Sequence, residues 1–147
     1  MDSAIIGIEQ VLNSFSSLEL SQINWEFKVD ASKWSKKEIL GHLIDSANIN
    51  LQRFVRCTYE EKFKLMYEQV EYVKVQQYQN VPIEDLITLW RLLNQQLVRV
   101  LKNYPENRRE AVCDTGKNEI QLHTVEFLAK DYLAHLIHHL NQISSNY

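Results

Sequence analysis

Apolar side chains fall three and four positions apart through much of this chain, the spacing that stacks them along one face of an α-helix. Ile5, Ile8, Leu12 and Phe15 form the first stripe and predict a helix over roughly residues 3–18, with Glu9 and Asn13 turned to water. Ser35 and Glu38 form an S-x-x-E capping box, in which each side chain satisfies a free backbone donor at the other's position, so a second helix starts there. Its main stripe is Leu40, Leu43, Ala47 and Phe54. A second stripe, His42, Ser46, Ile49 and Arg53, lies about half a turn away. Pro82 opens a third helix carrying Leu86, Leu89, Leu93, Leu97 and Val100, and Pro105 marks its end. A last helix is expected over residues 124–144, burying Leu133, Leu136, Ile137, Leu140 and Ile143.

Two stretches do not fit this rhythm. From Cys57 to Val81 there is a candidate helical piece at Glu60–Glu71 and an alternating segment, Tyr72–Tyr78. A connection of about 25 residues is long for a bundle, so it is expected to be partly ordered and to cover a site or an interface. Glu106–Gln121 is charged and carries the turn signal Asp114-Thr-Gly-Lys-Asn118, which predicts a surface loop with room for a short extended segment or a lid.

Three glycines and two prolines among 147 residues suit an all-α chain better than one with many tight β turns. That length, with 45% hydrophobic residues, fits a single domain over 1–147 with a core of its own. The formal charge of −3, from 16 basic and 19 acidic residues, argues against a nucleic-acid partner held through phosphates. No basic leader and no apolar run of the roughly 18 residues needed to span a bilayer is seen, so a cytoplasmic protein with no membrane partner is expected. Cys57 and Cys113 form no CxxC pair and read as structural thiols in a reducing compartment. Trp25, Trp34 and Trp90 are expected to pack, and His123, ahead of the last helix, to be exposed.

The histidines carry the candidate chemistry. His135 and His139 are four apart, about 40° around a helix, and can point side by side into one site. They run with Leu128, Tyr132 and Ile143, whereas His138 falls with Lys130, Asp131 and Asn141 on the wetter side. A third ligand must come from another helix, and His42 interrupts an otherwise buried-looking segment of the second. Spacing alone leaves two readings open: a shared divalent metal, or histidines placed near a helix C-terminus where positive charge is favoured, with His42 a hydrogen-bonded core residue. Glu-x-x-His pairs, H-E-x-x-H, a P-loop, G-x-G-x-x-G and G-x-S-x-G are all absent.

Four stretches carry a family likeness: Trp34-Ser-Lys-Lys-Glu-Ile-Leu-Gly-His42-Leu-Ile-Asp-Ser-Ala, Val73–Tyr78, Pro82-Ile-Glu-Asp-Leu-Ile-Thr-Leu-Trp90, and Asp131-Tyr-Leu-Ala-His135-Leu-Ile-His-His139-Leu-Asn-Gln-Ile. The first and last are the specific ones. With them the chain resembles the DinB/YfiT-like superfamily, in its branch of small metal-dependent bundles. The resemblance implies a four-helix bundle with up-down-down-up topology and a long crossover between helices two and three. It also implies a metal triad of one histidine on helix two and an H-x-x-x-H pair on the last helix, here His42, His135 and His139, with zinc or nickel as the usual ion.

Activities assigned in that superfamily include thiol-dependent S-transfer, maleylpyruvate isomerisation with a low-molecular-weight thiol, and metal-dependent hydrolysis. The chain is accordingly expected to use its metal to activate a thiol or water on a small-molecule substrate. Arg53, Ser46 and Tyr132 are candidate substrate contacts, and Asp45, His138 and Gln142 candidate supports of the ligands. The competing expectation is a non-catalytic, dimerising or stress-related binding protein that keeps the fold. A homodimer fits either reading.

Overall fold

The computed structural model describes residues 1–145. Its long helices are α1 (Asp2–Ser16), α2 (Lys36–Cys57), α4 (Ile83–Lys102) and α5 (Val125–Ile143). A short α3 (Gln69–Gln76) lies in the connection between α2 and α4, and a hairpin of β1 (Val112–Asp114) and β2 (Leu122–Thr124) precedes α5. None of these helices is long and apolar enough to cross a membrane. The capping box forms as expected: Ser35 Oγ accepts from the Glu38 amide at 3.1 Å and the Glu38 carboxylate accepts from the Ser35 amide at 2.7 Å. α1 stops short of residue 18, where the Ser17 amide and hydroxyl both turn back to the Ser14 carbonyl, the group that the Leu18 amide would take in a continued helix. Thr124 caps α5, its hydroxyl accepting from the Phe127 amide.

The direction of each helix follows from which residues meet. His42 faces His135 and His139, and Ser46 faces His135, so α2 and α5 are antiparallel. Gly41 meets Tyr78 just ahead of α4, while the Phe54 carbonyl accepts from Tyr104 just beyond it, so α2 and α4 run parallel. Gly7 abuts Leu133, and Met1 pairs with Glu126, making α1 and α5 parallel. Phe15 packs on Trp90 at 4.6 Å while Glu9 pairs with Lys102, making α1 and α4 antiparallel. The bundle is up-down-down-up. α2 packs on α4 and α5, and α1 closes the other side against the same two helices.

Parallel α2 and α4 force the chain back along a helix of 22 residues, about 33 Å at 1.5 Å per residue. Of the helical piece expected at Glu60–Glu71 only the last three residues are helical, as the start of α3. Residues 62–65 instead bond to the outer edge of β1, through Lys62 N to Val112 O at 2.9 Å, Asp114 N to Phe63 O at 2.8 Å and Leu65 N to Asp114 O at 2.9 Å. These long-range backbone bonds outcompete local helix propensity, and Lys62 takes a left-handed φ of 52°. The helical turns of α3 run on from Gln69 over much of the alternating segment, Tyr72–Tyr78. The loop expected at Glu106–Gln121 contains β1, and the Asp114 carboxylate closes the hairpin by accepting from the Gly116 and Gln121 amides, each at 2.9 Å. His123, expected to be exposed, is half-buried on β2 and stacks on Phe127 at 4.4 Å.

Gly41, one residue before His42, lets the crossover lie against α2. A Cβ there would stand 2.1 Å from the ring of Tyr78, which is buried and held by its hydroxyl. Gly41→Ala is therefore expected to destabilise the fold by about 1–3 kcal/mol through overpacking, despite the better helix propensity of alanine. Urea titration checks this, and an unchanged or raised midpoint would show that the ring can move aside.

Candidate metal centre

α2 carries a polar seam on a buried face: His42, Asp45, Ser46 and Asn50 are all almost inaccessible. Polar groups in such a place need partners, because each one left unpaired costs roughly 1–3 kcal/mol. His42 sits two turns into α2 and is fully buried, and the antiparallel α5 brings His135 and His139 against it. The Nε2 atoms of His42 and His135 are 3.0 Å apart. The three ring centroids are separated by 4.5 to 5.0 Å, and each residue offers a ring nitrogen within 4.8 Å of the other two.

Hydrogen bonds at the far side of two rings orient this cluster. His139 Nδ1 donates to Gln142 Oε1 at 2.9 Å, which leaves Nε2 with its lone pair free. His135 Nδ1 lies 3.4 Å from Ser46 Oγ. His42 Nδ1 is buried without a partner among the described residues. Burial, together with the charge the neighbouring imidazoles would carry, pulls His42 down to about 3 and His135 to about 4, from an ordinary 6.5. His139 is lowered too, mainly by burial. All three are neutral donors at neutral pH, the form a metal requires.

The donor set fits a divalent cation. Two desolvated Nε2 atoms at 3.0 Å are unfavourable unless a proton or a cation lies between them. That separation is close to the roughly 3.3 Å that two nitrogens span on tetrahedral zinc with bonds of about 2.0–2.1 Å.

Other residues expected at the site are placed differently. Arg53, a candidate substrate contact, spends its guanidinium within the protein: Nε and Nη2 donate to the Leu65 carbonyl at 3.1 and 2.7 Å, and Nη1 to Asn50 Oδ1 at 3.3 Å. It clamps the crossover to α2. Tyr132 is buried in the core, where its hydroxyl donates to Asn94 Oδ1 at 2.6 Å, so it presents nothing to a ligand. Asp45 has no hydrogen bond to a histidine among the described residues; its carboxylate accepts from Tyr78 Oη at 2.6 Å and from Gln76, tying down the end of α3. Ser46 lies behind His135 as a support for the imidazole. His138 is exposed, its ring edge-on to that of His139 at 4.8 Å, and Gln142 reaches both, with Nε2 3.4 Å from His138 Nε2 and Oε1 accepting from His139.

Two aromatic residues reach the site that spacing alone did not single out. Trp34 is half-buried with its ring 5.0 Å from His42, and its position immediately before the capping box was the available signal. Tyr67, in the crossover, lies parallel to His42 at 6.5 Å and packs on Tyr72; burial pushes its hydroxyl up to about 12. No periodicity in its segment pointed to it. Beside Trp34 an open cleft of about 530 Å³ has His139 and Gln142 in its lining.

The model of the DinB superfamily matches residues 7–143. The chain belongs to the DinB superfamily. YfiT from Bacillus subtilis, described as a probable metal-dependent hydrolase with an unusual four-helix bundle topology, is similar in structure with a TM-score of 0.82. The two are 17% identical over 98% of this chain and 83% of YfiT. The DinB-like protein YjoA from Bacillus subtilis has a TM-score of 0.62 at 17% identity, over 96% of this chain and 84% of YjoA. At that identity both comparisons speak to fold alone. No curated protein sequence matches the chain.

The lowered imidazoles have a signed consequence for this DinB-superfamily chain. In the unfolded chain His42, His135 and His139 take up protons as pH falls through about 6.5, while the folded, metal-free site does so only nearer 3 to 4 for His42 and His135. Their contribution is absent above about pH 6.5 and lowers stability progressively below it. Asp45, whose buried carboxyl titrates above its ordinary range, opposes the trend. The metal-free protein is expected to lose melting temperature between pH 6.5 and 5, less steeply in His42→Gln. Equal slopes in the two proteins would contradict this assignment.

Proposed function

We propose that the protein is a metal-dependent hydrolase whose divalent cation, zinc or nickel, is held by His42, His135 and His139. The observation that carries this reading is the convergence of three neutral, desolvated imidazoles from two antiparallel helices within 4.8 Å. Three nitrogen donors with no carboxylate or thiolate suit either ion and leave a coordination position open. A cation so bound supplies Lewis acidity, lowering the pKa of water or a thiol and polarising a carbonyl.

The chain's own residues do the rest. Gln142 fixes the His139 tautomer and Ser46 steadies His135, keeping their Nε2 atoms aimed inward. Trp34 and Tyr67 wall the centre on the His42 side, where the lowered local polarity strengthens any charge interaction. The same residues would serve thiol transfer, so assays with and without a low-molecular-weight thiol separate the two chemistries.

Protein purified without a histidine tag or chelator is expected to hold about one equivalent of zinc or nickel by elemental analysis. Alanine at His42, His135 and His139 together should abolish it. Absence of metal in the parent, with no uptake of added zinc or nickel, would make the histidines structural and favour a non-catalytic binding protein. Ser46→Ala and Gln142→Ala are each expected to weaken zinc binding about 10- to 100-fold in competition with a chromogenic chelator. Unaltered affinity in both would remove their supporting role.

A further inference from the structure

Three large apolar side chains left in water line the cleft beside the histidines. Phe27 is 48% exposed, Val29 86% and Val70 57%. Phe27 and Val29 lie in the connection between α1 and α2, and Val70 in the first turn of α3, so separate parts of the chain bring apolar groups to the cleft. Trp34 and Ile39 occupy the positions before and inside the start of α2 that form a hydrophobic staple, and both also line it. No carboxylate of the described residues does so. Of its two lysines, Lys36 is committed to the Ile143 carbonyl at 2.7 Å. A neighbouring cleft that shares Trp34 and Val70 is lined instead by Glu38, Lys74 and the amides of Gln77, Gln79 and Asn80, so the apolar character is local to the cleft that reaches His139.

We propose that this cleft binds an uncharged apolar group of the substrate, of aryl or branched-acyl size, and so selects apolar substrates over sugar-like or nucleotide-like ones. The inference rests on the hydrolase reading, because His139 in the lining connects the cleft to the proposed metal centre. Its volume of about 530 Å³ and its concave form suit a small molecule. Burying the aryl group would also cover Phe27, Val29 and Val70, whose exposure in the free protein opposes the hydrophobic effect.

Two carboxylates of similar size test this, 4-phenylbutyrate and gluconate, since they share a charge and differ in polarity. Each is titrated into the zinc-loaded protein and followed by NMR at the Trp34 indole and the Val29 and Val70 methyls. Phenylbutyrate is expected to bind at least about 10-fold more tightly than gluconate, with the shifts confined to the cleft. Val70→Asp should weaken it at least about 5-fold; an aspartate in the first turn of α3 suits the helix dipole and leaves the fold intact. Val29→Asp is a second variant, in the connection ahead of α2. Equal binding of the two probes, no binding of either, or binding indifferent to both substitutions would overturn the proposal. A dimer that Val70→Asp dissociates would overturn it too, because the cleft would then be an interface between copies. Zinc titration of the parent and the triple alanine variant runs alongside. Zinc uptake without phenylbutyrate binding defeats the cleft assignment alone, and phenylbutyrate binding without zinc uptake defeats the hydrolase reading and leaves the cleft's preference standing.

Discussion

The buried polar seam of α2 sets the terms for everything around it. His42, Asp45, Ser46 and Asn50 occupy a face that a purely structural bundle would fill with leucine, and each must be answered by a neighbour. The answers come from different directions. α5 supplies His135 to Ser46 and to His42, while Tyr78 and Gln76 answer Asp45. Asn50 answers to α2 itself, through the Ser46 carbonyl at 3.0 Å, and receives Arg53. Among the described residues two atoms of the seam stay unpaired, one carboxylate oxygen of Asp45 and Nδ1 of His42, whose other ring nitrogen faces His135.

The unusual helix order has a mechanical consequence for that seam. A bundle with α2 and α4 antiparallel could join them by a short turn and leave the outer side of α2 to solvent. With the two helices parallel, the returning chain must travel the length of α2, and it is pinned along the way. Lys62, Phe63 and Leu65 bond to β1, Arg53 grips the Leu65 carbonyl, and Asp45 holds Tyr78. The crossover thereby delivers Tyr67 over His42 and Val70 to the rim of the apolar cleft. Site and topology are two results of one connection.

Arg53 and Tyr132 show that a shared stripe does not by itself fix a side chain's partner. Both share a helix face with the histidines, as their spacing indicated, yet each lies far enough along its helix to meet other parts of the protein first. Arg53 finds a backbone carbonyl of the crossover, and Tyr132 an asparagine of α4. Angular position around a helix was legible in the residues; the partner waiting at each level was not.

What the sequence by itself determined is therefore local and periodic. The four long helices follow from apolar residues at i, i+3 and i+4; the start of α2 from Ser35 and Glu38; the pairing of His135 with His139, and the outward turn of His138, from roughly 100° per residue. The antiparallel placement of α2 and α5 was expected from family resemblance, because no short-range pattern encodes which helices become neighbours. Tertiary structure alone decided the rest. Strand-like bonding of residues 62–65 to β1 overrode their helical pattern, and the αL turns at Lys62 and Gln77 redirected the chain. Tyr67 became a wall of the histidine site because bonds distant in sequence, Leu65 to Asp114 and to Arg53, fixed the path of the segment that carries it. Such bonds depend on which backbone groups are left unsatisfied after the bundle closes, and that is a property of the whole fold.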